Sequence, residues 1–201
     1  ATAALGVIGC SSRGALLGMG AIGFYALLRS KQIVRTLVGV ALLCVAVWFI
    51  LPAEQKARFG SAGEDATSIS RKVYWLNGLD MARTHPVLGI GYNNWMKYYT
   101  VFYRESAISQ KYDVHTVQVP HNIFIQCMAE LGYIGLAVLL MLIGATLWIN
   151  YQTRRVRPGL DPPTRFMVQM AYALDAAMLS YIVAGFFVTG LYYPFFWVNL
   201  A

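Results

Sequence analysis

The chain of 201 residues is 58% hydrophobic and only 12% charged, with a mean hydropathy of +0.52, whereas soluble domains run to about 25% charged. That composition excludes an ordinary soluble domain and marks a membrane protein with several spans. The formal charge of +7 does not indicate nucleic acid, because in a membrane protein Lys and Arg gather in cytoplasmic loops.

The chain begins without Met inside the apolar run Ala1-Thr2-Ala3-Ala4-Leu5 and stops inside another at Phe195-Phe196-Trp197-Val198. It is therefore read as the C-terminal part of a longer chain, with residues 1–10 the end of a truncated span. A helix over residues 11–28 rises about 27 Å, close to one hydrocarbon thickness, and puts Arg13 at one end. Arg29, Lys31 and Arg35 crowd the other end, which the positive-inside rule makes cytoplasmic. Residues 33–51 form the span returning outward.

Pro52 ends that span. The loop from Pro52 to Pro120 carries eight basic and six acidic residues, and a loop of this length is outside the positive-inside count and too long for a passive connector. Ser61 to Ser70 is small and polar and reads as mobile. Ser68 to Arg83 has a helical pattern, with Ile69, Val73, Leu76 and Leu79 apolar. His85-Pro86 stops it and Gly89-Ile90-Gly91 makes a turn. Trp95, Tyr98, Tyr99 and Phe102 recur at helical spacing and predict a short amphipathic helix on the membrane surface. It is read either as a stacking platform for sugar rings or a greasy carrier, or as an interfacial aromatic belt.

From His121 to Ile149 the 29 residues would make about 43 Å of helix, longer than a bilayer core. Glu130 and Gly132 divide the run into an outer helix, 121–130, with Asn122, Gln126 and Glu130 on one stripe, and a span over 131–149. Arg154, Arg155 and Arg157 follow on the same side as the first basic loop. Residues 166–190 are a further span with Asp175 near its middle, either a functional acid or a hydrogen-bonding group for a helix outside the chain. Residues 194–201 start a last, truncated span. The fold class is all-α: a polytopic helical bundle with a large extracytoplasmic loop that contains short helices.

On this topology Arg13, Arg71 and His121 lie on the outer side. An Arg presents a planar fork of donors that matches phosphate oxygens, so Arg13 suits a lipid-linked phosphate or pyrophosphate, or else snorkels to ordinary headgroups. His121 follows Pro120 at a helix start, where the dipole disfavours imidazolium. A neutral His beside permanent cations can deprotonate a hydroxyl while the arginines stabilise an anionic leaving group; the alternative is a structural histidine. His85 reads as structural, and His115 as either. Cys10, Cys44 and Cys127 are scattered, and neither a disulfide framework nor a metal-ligand spacing is visible.

Ser12-Arg13-Gly14-Ala15-Leu16-Leu17 contains an Arg followed after three residues by Leu. His121-Asn122, nine residues, Gly132, two residues and Gly135 is similar to the second signature of the bacterial O-antigen ligase and O-antigen polymerase superfamily. Arg71 with Trp75, then His85-Pro86-Val87-Leu88-Gly89-Ile90-Gly91, resembles the entry to that family's large periplasmic loop. The resemblance covers nearly all of the chain in the family's order. It implies a GT-C-like, inverting, metal-independent glycosyltransferase of the bacterial cytoplasmic (inner) membrane, with residues 52–120 as its periplasmic catalytic loop and no cofactor. Such an enzyme moves a glycan from an undecaprenyl-pyrophosphate carrier to an acceptor hydroxyl of lipid A core, a growing polysaccharide or a protein Ser/Thr. By motif position Arg13 and Arg71 hold the pyrophosphate and His121 activates or positions the acceptor; Asn122 and Trp95 are further substrate-binding candidates, and Gly132 and Gly135 are packing positions. The competing class is a transporter or flippase of lipid-linked saccharides, which usually places its site near the bilayer midplane.

Overall fold

The computed structural model describes residues 13–50, 53, 56, 66–156, 162–194 and 197. The truncated spans expected at 1–10 and 194–201 lie outside the described residues, except for Pro194 and Trp197, as does most of 51–65. The described elements are all helical: α1 (Arg13–Arg29), α2 (Ile33–Ile50), α3 (Ala66–Thr84), α4 (Trp95–Phe102), α5 (Ala107–Lys111), α6 (Ile123–Arg155) and α7 (Pro162–Gly185). Among them α2, α6 and α7 are long and apolar enough to cross a membrane, with mean hydropathies of 2.4, 2.1 and 1.4, and α1 is a shorter apolar helix. Helix is what such sequences must form in lipid, because every backbone N–H and C=O then finds its partner inside the segment.

The chain divides into two compact units. The first comprises Ala1–Gly60 and Thr146–Ala184 (with Ala201), the second Ser61–Ala145 and Gly185–Leu200.

In the first unit small residues let helices approach. A Cβ at Gly18 would stand 2.8 Å from the Ser180 hydroxyl, so α1 and α7 touch almost backbone to backbone. Asp175 has its partners within the chain: Arg154 forms an ion pair with it, Asn150 donates to it at 2.8 Å and Tyr25 at 3.2 Å. The partner helix outside the chain, one of the two alternatives for Asp175, is not required, because Arg154 in the last turn of α6 reaches the middle of α7. Arg154 and Arg29 lie over the ring of Tyr172, at 5.2 and 5.3 Å.

In the second unit the long loop folds around its own core of Val73, Tyr74, Met81, Trp95, Tyr99, Tyr103, Val114 and Ala129. The helix α3 starts at Ala66, inside the stretch expected to be mobile, and it buries Val73, Tyr74, Asn77, Gly78, Met81 and Ala82. Its inner face is thus rotated from the apolar stripe in the sequence: Leu76 is exposed, and Asn77 turns inward to donate to the Tyr99 hydroxyl at 2.8 Å.

The helix α6 is broken at Gly132, whose φ of 68° and ψ of −172° are open essentially to glycine alone. The break frees backbone groups of α6, and the 85–91 turn satisfies them. Ile90 N–H donates to Ala129 C=O at 2.9 Å, Gly91 N–H to Glu130 C=O at 2.9 Å, and Tyr133 N–H to Pro86 C=O at 2.8 Å. A Cβ on Gly132 would fall on the Val87 carbonyl, and one on Gly89 would meet the backbone of Ala129 and Glu130. Gly132 is therefore a backbone joint between α6 and the His85–Gly91 segment, not a site of helix-to-helix packing. The helix α7 stops at Gly185, short of the expected residue 190, and residues 186–193 form a turn.

Candidate functional site

Arg71 lies on α3, whose hydrophobic inner face fixes its rotation about the helix axis. Trp75, one turn further on, donates from Nε1 to the carbonyl of Pro120 at 2.7 Å. Pro120 is buried, and the peptide plane it shares with His121 is thereby tied to α3. His121 then takes φ of +49°, a left-handed conformation uncommon for any residue with a Cβ but one in which His is enriched. The helix proper begins after it: Asn122 Oδ1 accepts from Phe124 N–H at 2.9 Å and from Ile125 N–H at 3.1 Å, the geometry of an N-cap.

His121 is half-buried, and burial first, then the positive charge of Arg71, lowers its pKa from the ordinary imidazole value. The helix end invoked from sequence is not needed for this direction. Its Nδ1 lies 3.3 Å from the hydroxyl of Thr189, a residue of the turn after α7 that carried no signal in the sequence.

A second buried group sits one helical face along. Glu130 is fully buried; it accepts from the Trp95 backbone N–H at 2.8 Å, from Gln126 Nε2 at 3.1 Å and from the Tyr192 hydroxyl at 2.6 Å. The Tyr192 phenol is pushed well above its ordinary pKa by burial and then by its bond to Glu130, so it stays a donor. The stripe Asn122, Gln126 and Glu130 thus faces inward.

The structure brings Arg71 and His121 together in the second unit. Arg13 opens α1 in the first unit, and its side chain lies outside the described ones. Asn122 is 3% exposed with its Oδ1 engaged in capping, which accounts for an amide at this position without a substrate. Trp95 is 1% exposed, stacks on Tyr99 at 5.8 Å and donates from Nε1 to Gln118 C=O at 2.9 Å. It presents no ring face to a sugar, because α4 turns Trp95 and Tyr99 into the core and leaves Met96, Val101 and Phe102 outside. Sequence periodicity located the helix but not which aromatic side faced inward.

Comparison with known proteins adds three findings. No solved structure matches the chain. The exopolysaccharide production protein ExoQ of Rhizobium meliloti (strain 1021) is 27% identical to it in an alignment 182 residues long that covers 74% of this chain and 41% of that protein. The chain thus spans about two fifths of the length of that relative. Residues 1–140 match the family described as O-antigen ligase, and so take in α1 to α5, the Arg71 and His121 motifs and the joint at Gly132. The chain belongs to the O-antigen ligase family.

Proposed function

We propose that the protein containing this chain is an inverting, metal-independent glycosyltransferase of polysaccharide biosynthesis in the bacterial cytoplasmic membrane. Its donor is a glycan on undecaprenyl pyrophosphate. The acceptor is a hydroxyl of a growing polysaccharide, of lipid A core or of a protein Ser/Thr, and the membrane lipids surround the site on its periplasmic side. The single observation that carries this reading is the pairing of a permanent cation, Arg71, with an imidazole held toward neutrality, His121, across the Trp75–Pro120 hydrogen bond.

In the proposed step the acceptor oxygen attacks the anomeric carbon and its proton passes to a ring nitrogen of His121. The bond from that carbon to the pyrophosphate oxygen breaks in the same displacement, so the configuration inverts. Undecaprenyl pyrophosphate departs with its charge met by Arg71 and Arg13, whose bidentate forks match phosphate oxygens. Such electrostatic stabilisation of a leaving anion, added to general base catalysis, is the type of contribution that dominates transfer reactions without a covalent intermediate. The basic residues Arg29, Lys31 and Arg35, and Arg154 and Arg155, support a cytoplasmic side for the connecting loops and, with it, the reading of a periplasmic site. ExoQ, named for exopolysaccharide production, favours a polysaccharide acceptor among the three.

The test uses the full-length protein in proteoliposomes with an undecaprenyl-pyrophosphate glycan, with and without His121→Ala, Arg71→Ala and Arg13→Ala, and with excess chelator. Transfer that is abolished by each substitution and insensitive to chelator is expected. Movement of the carrier across the bilayer with no sugar transferred would instead establish a transporter.

A further inference from the structure

The turn after α7 is fixed to the rest of the second unit at several points. Phe186 lies against Phe124 with ring centroids 4.9 Å apart, Leu191 is buried, and the ring of Tyr192 meets that of Tyr92 at 4.5 Å. The Tyr192 hydroxyl donates to fully buried Glu130 at 2.6 Å. Between these anchors, Thr189 sets its hydroxyl 3.3 Å from Nδ1 of His121.

A neutral imidazole carries its proton on one ring nitrogen, and the hydrogen bond made by that nitrogen decides which nitrogen keeps a lone pair. A hydroxyl serves as either donor or acceptor, so Thr189 fits two tautomers, of which only one leaves Nε2 as a proton acceptor. We infer that Thr189 is a positioning residue for His121: it accepts a hydrogen bond from Nδ1–H, fixes the ring and leaves Nε2 as the base, with Tyr192 and Glu130 holding Thr189 in place.

The inference rests on the proposed role of His121 and extends it to a segment 68 residues further along the chain. The proton balance is simple. The acceptor hydroxyl gives its proton to Nε2, the transient imidazolium keeps its Nδ1 proton on Thr189, and the Nε2 proton later leaves to solvent. The arrangement explains why a residue in an unmarked turn should be held by a buried carboxyl group: a rotation of the ring about its Cβ–Cγ bond would otherwise turn Nε2 away from the acceptor.

The experiment measures sugar transfer by the full-length protein, together with ¹⁵N shifts of its labelled histidines, in the wild type, Thr189→Val, Thr189→Ser, Tyr192→Phe and His121→Ala. Thr189→Val is expected to lower kcat by about 10- to 100-fold, the size of loss that follows removal of the hydrogen-bond partner orienting a metal-bound imidazole, with the donor KM unmoved. Thr189→Ser recovers most of the rate, and Tyr192→Phe lowers kcat in the same direction by less. The wild-type spectrum shows His121 protonated on Nδ1, and this preference is lost in Thr189→Val.

A wild-type kcat in Thr189→Val beside an inactive His121→Ala overturns the inference and leaves the base intact. Full transfer by His121→Ala overturns the base itself, and the inference with it. If Thr189→Val fails to accumulate, the wild-type tautomer decides: protonation on Nε2 overturns the inference.

Discussion

Trp75 Nε1–H donates to the Pro120 carbonyl at 2.7 Å, a bond that joins the helix carrying Arg71 to the residue before His121. It crosses 45 positions of the chain and acts on a peptide plane, so it sets the backbone direction from which the His121 side chain leaves. Trp75→Phe keeps an aromatic side chain, though a smaller one, but leaves a buried carbonyl without this donor, a change that costs about 1–3 kcal/mol. The expected outcome is a lower unfolding temperature together with a loss of transfer rate. Full stability combined with full activity in Trp75→Phe would show that the bond does not position His121.

Gly132 adopts φ of 68° and ψ of −172°, where a side chain is strained by about 1–3 kcal/mol, and its missing Cβ leaves room for the Val87 carbonyl. Gly132→Ala is therefore expected to destabilise by at least that amount and to loosen the His85–Gly91 turn. Limited proteolysis of the purified full-length protein checks it: cleavage within residues 85–91 rises in the variant. An alanine variant as protease-resistant as the wild type would mean that the joint tolerates a Cβ.

The extent to which the fold was legible in sequence follows from how local each signal was. The apolar helices, α3 and α4 were legible because hydropathy and period are local properties, while the five-residue α5 gave no such signal; Arg71 and His121 were singled out because each sits in a short motif. The inner face of α3 was not, since Asn77 is buried by hydrogen bonds to Tyr99 and Ser109 that only the folded loop supplies. Trp95 has the composition of a sugar platform, and its burial depends on Gln118 and Glu130, which lie 23 and 35 residues away. The glycine signature was visible as a spacing, while its purpose, a positive φ at the meeting of two backbones, needed the turn of residues 85–91 in space. Thr189 and Tyr192 had no motif at all.

The pH dependence of transfer follows from His121. Burial, then Arg71, lowers its pKa from about 6.5, so the neutral base persists below that value and is lost as pH falls through the folded-state pKa. The acid limb of kcat/KM, which reports the free enzyme, is expected to be centred below pH of about 6.5. Arg71→Gln removes the second cause and leaves the first. The His121 pKa, followed by ¹⁵N shifts, should rise in that variant without reaching the ordinary value. A wild-type acid limb centred above the ordinary imidazole value would contradict the assignment of a neutral base at this position.

The buried ion pair of Arg154 with Asp175 makes a different kind of claim, about stability and not chemistry. Both side chains are largely enclosed, at 9% and 6% exposure. Removing one partner leaves the other charge uncompensated, which costs about 3–5 kcal/mol, whereas replacing both by apolar groups is often neutral. Arg154→Met leaves Asp175 with two neutral donors, Asn150 and Tyr25. Asp175→Leu leaves Arg154 with the Ala171 carbonyl at 3.5 Å and the ring of Tyr172. Each single variant is expected to unfold at a lower temperature in detergent, and the double variant to recover most of that loss. Because the two residues touch, their effects should be non-additive by well over the error of about 0.5 kcal/mol seen for independent sites. Strict additivity in this cycle would mean that the pair is not coupled in the folded protein, and that Asp175 is held by Asn150 and Tyr25 alone.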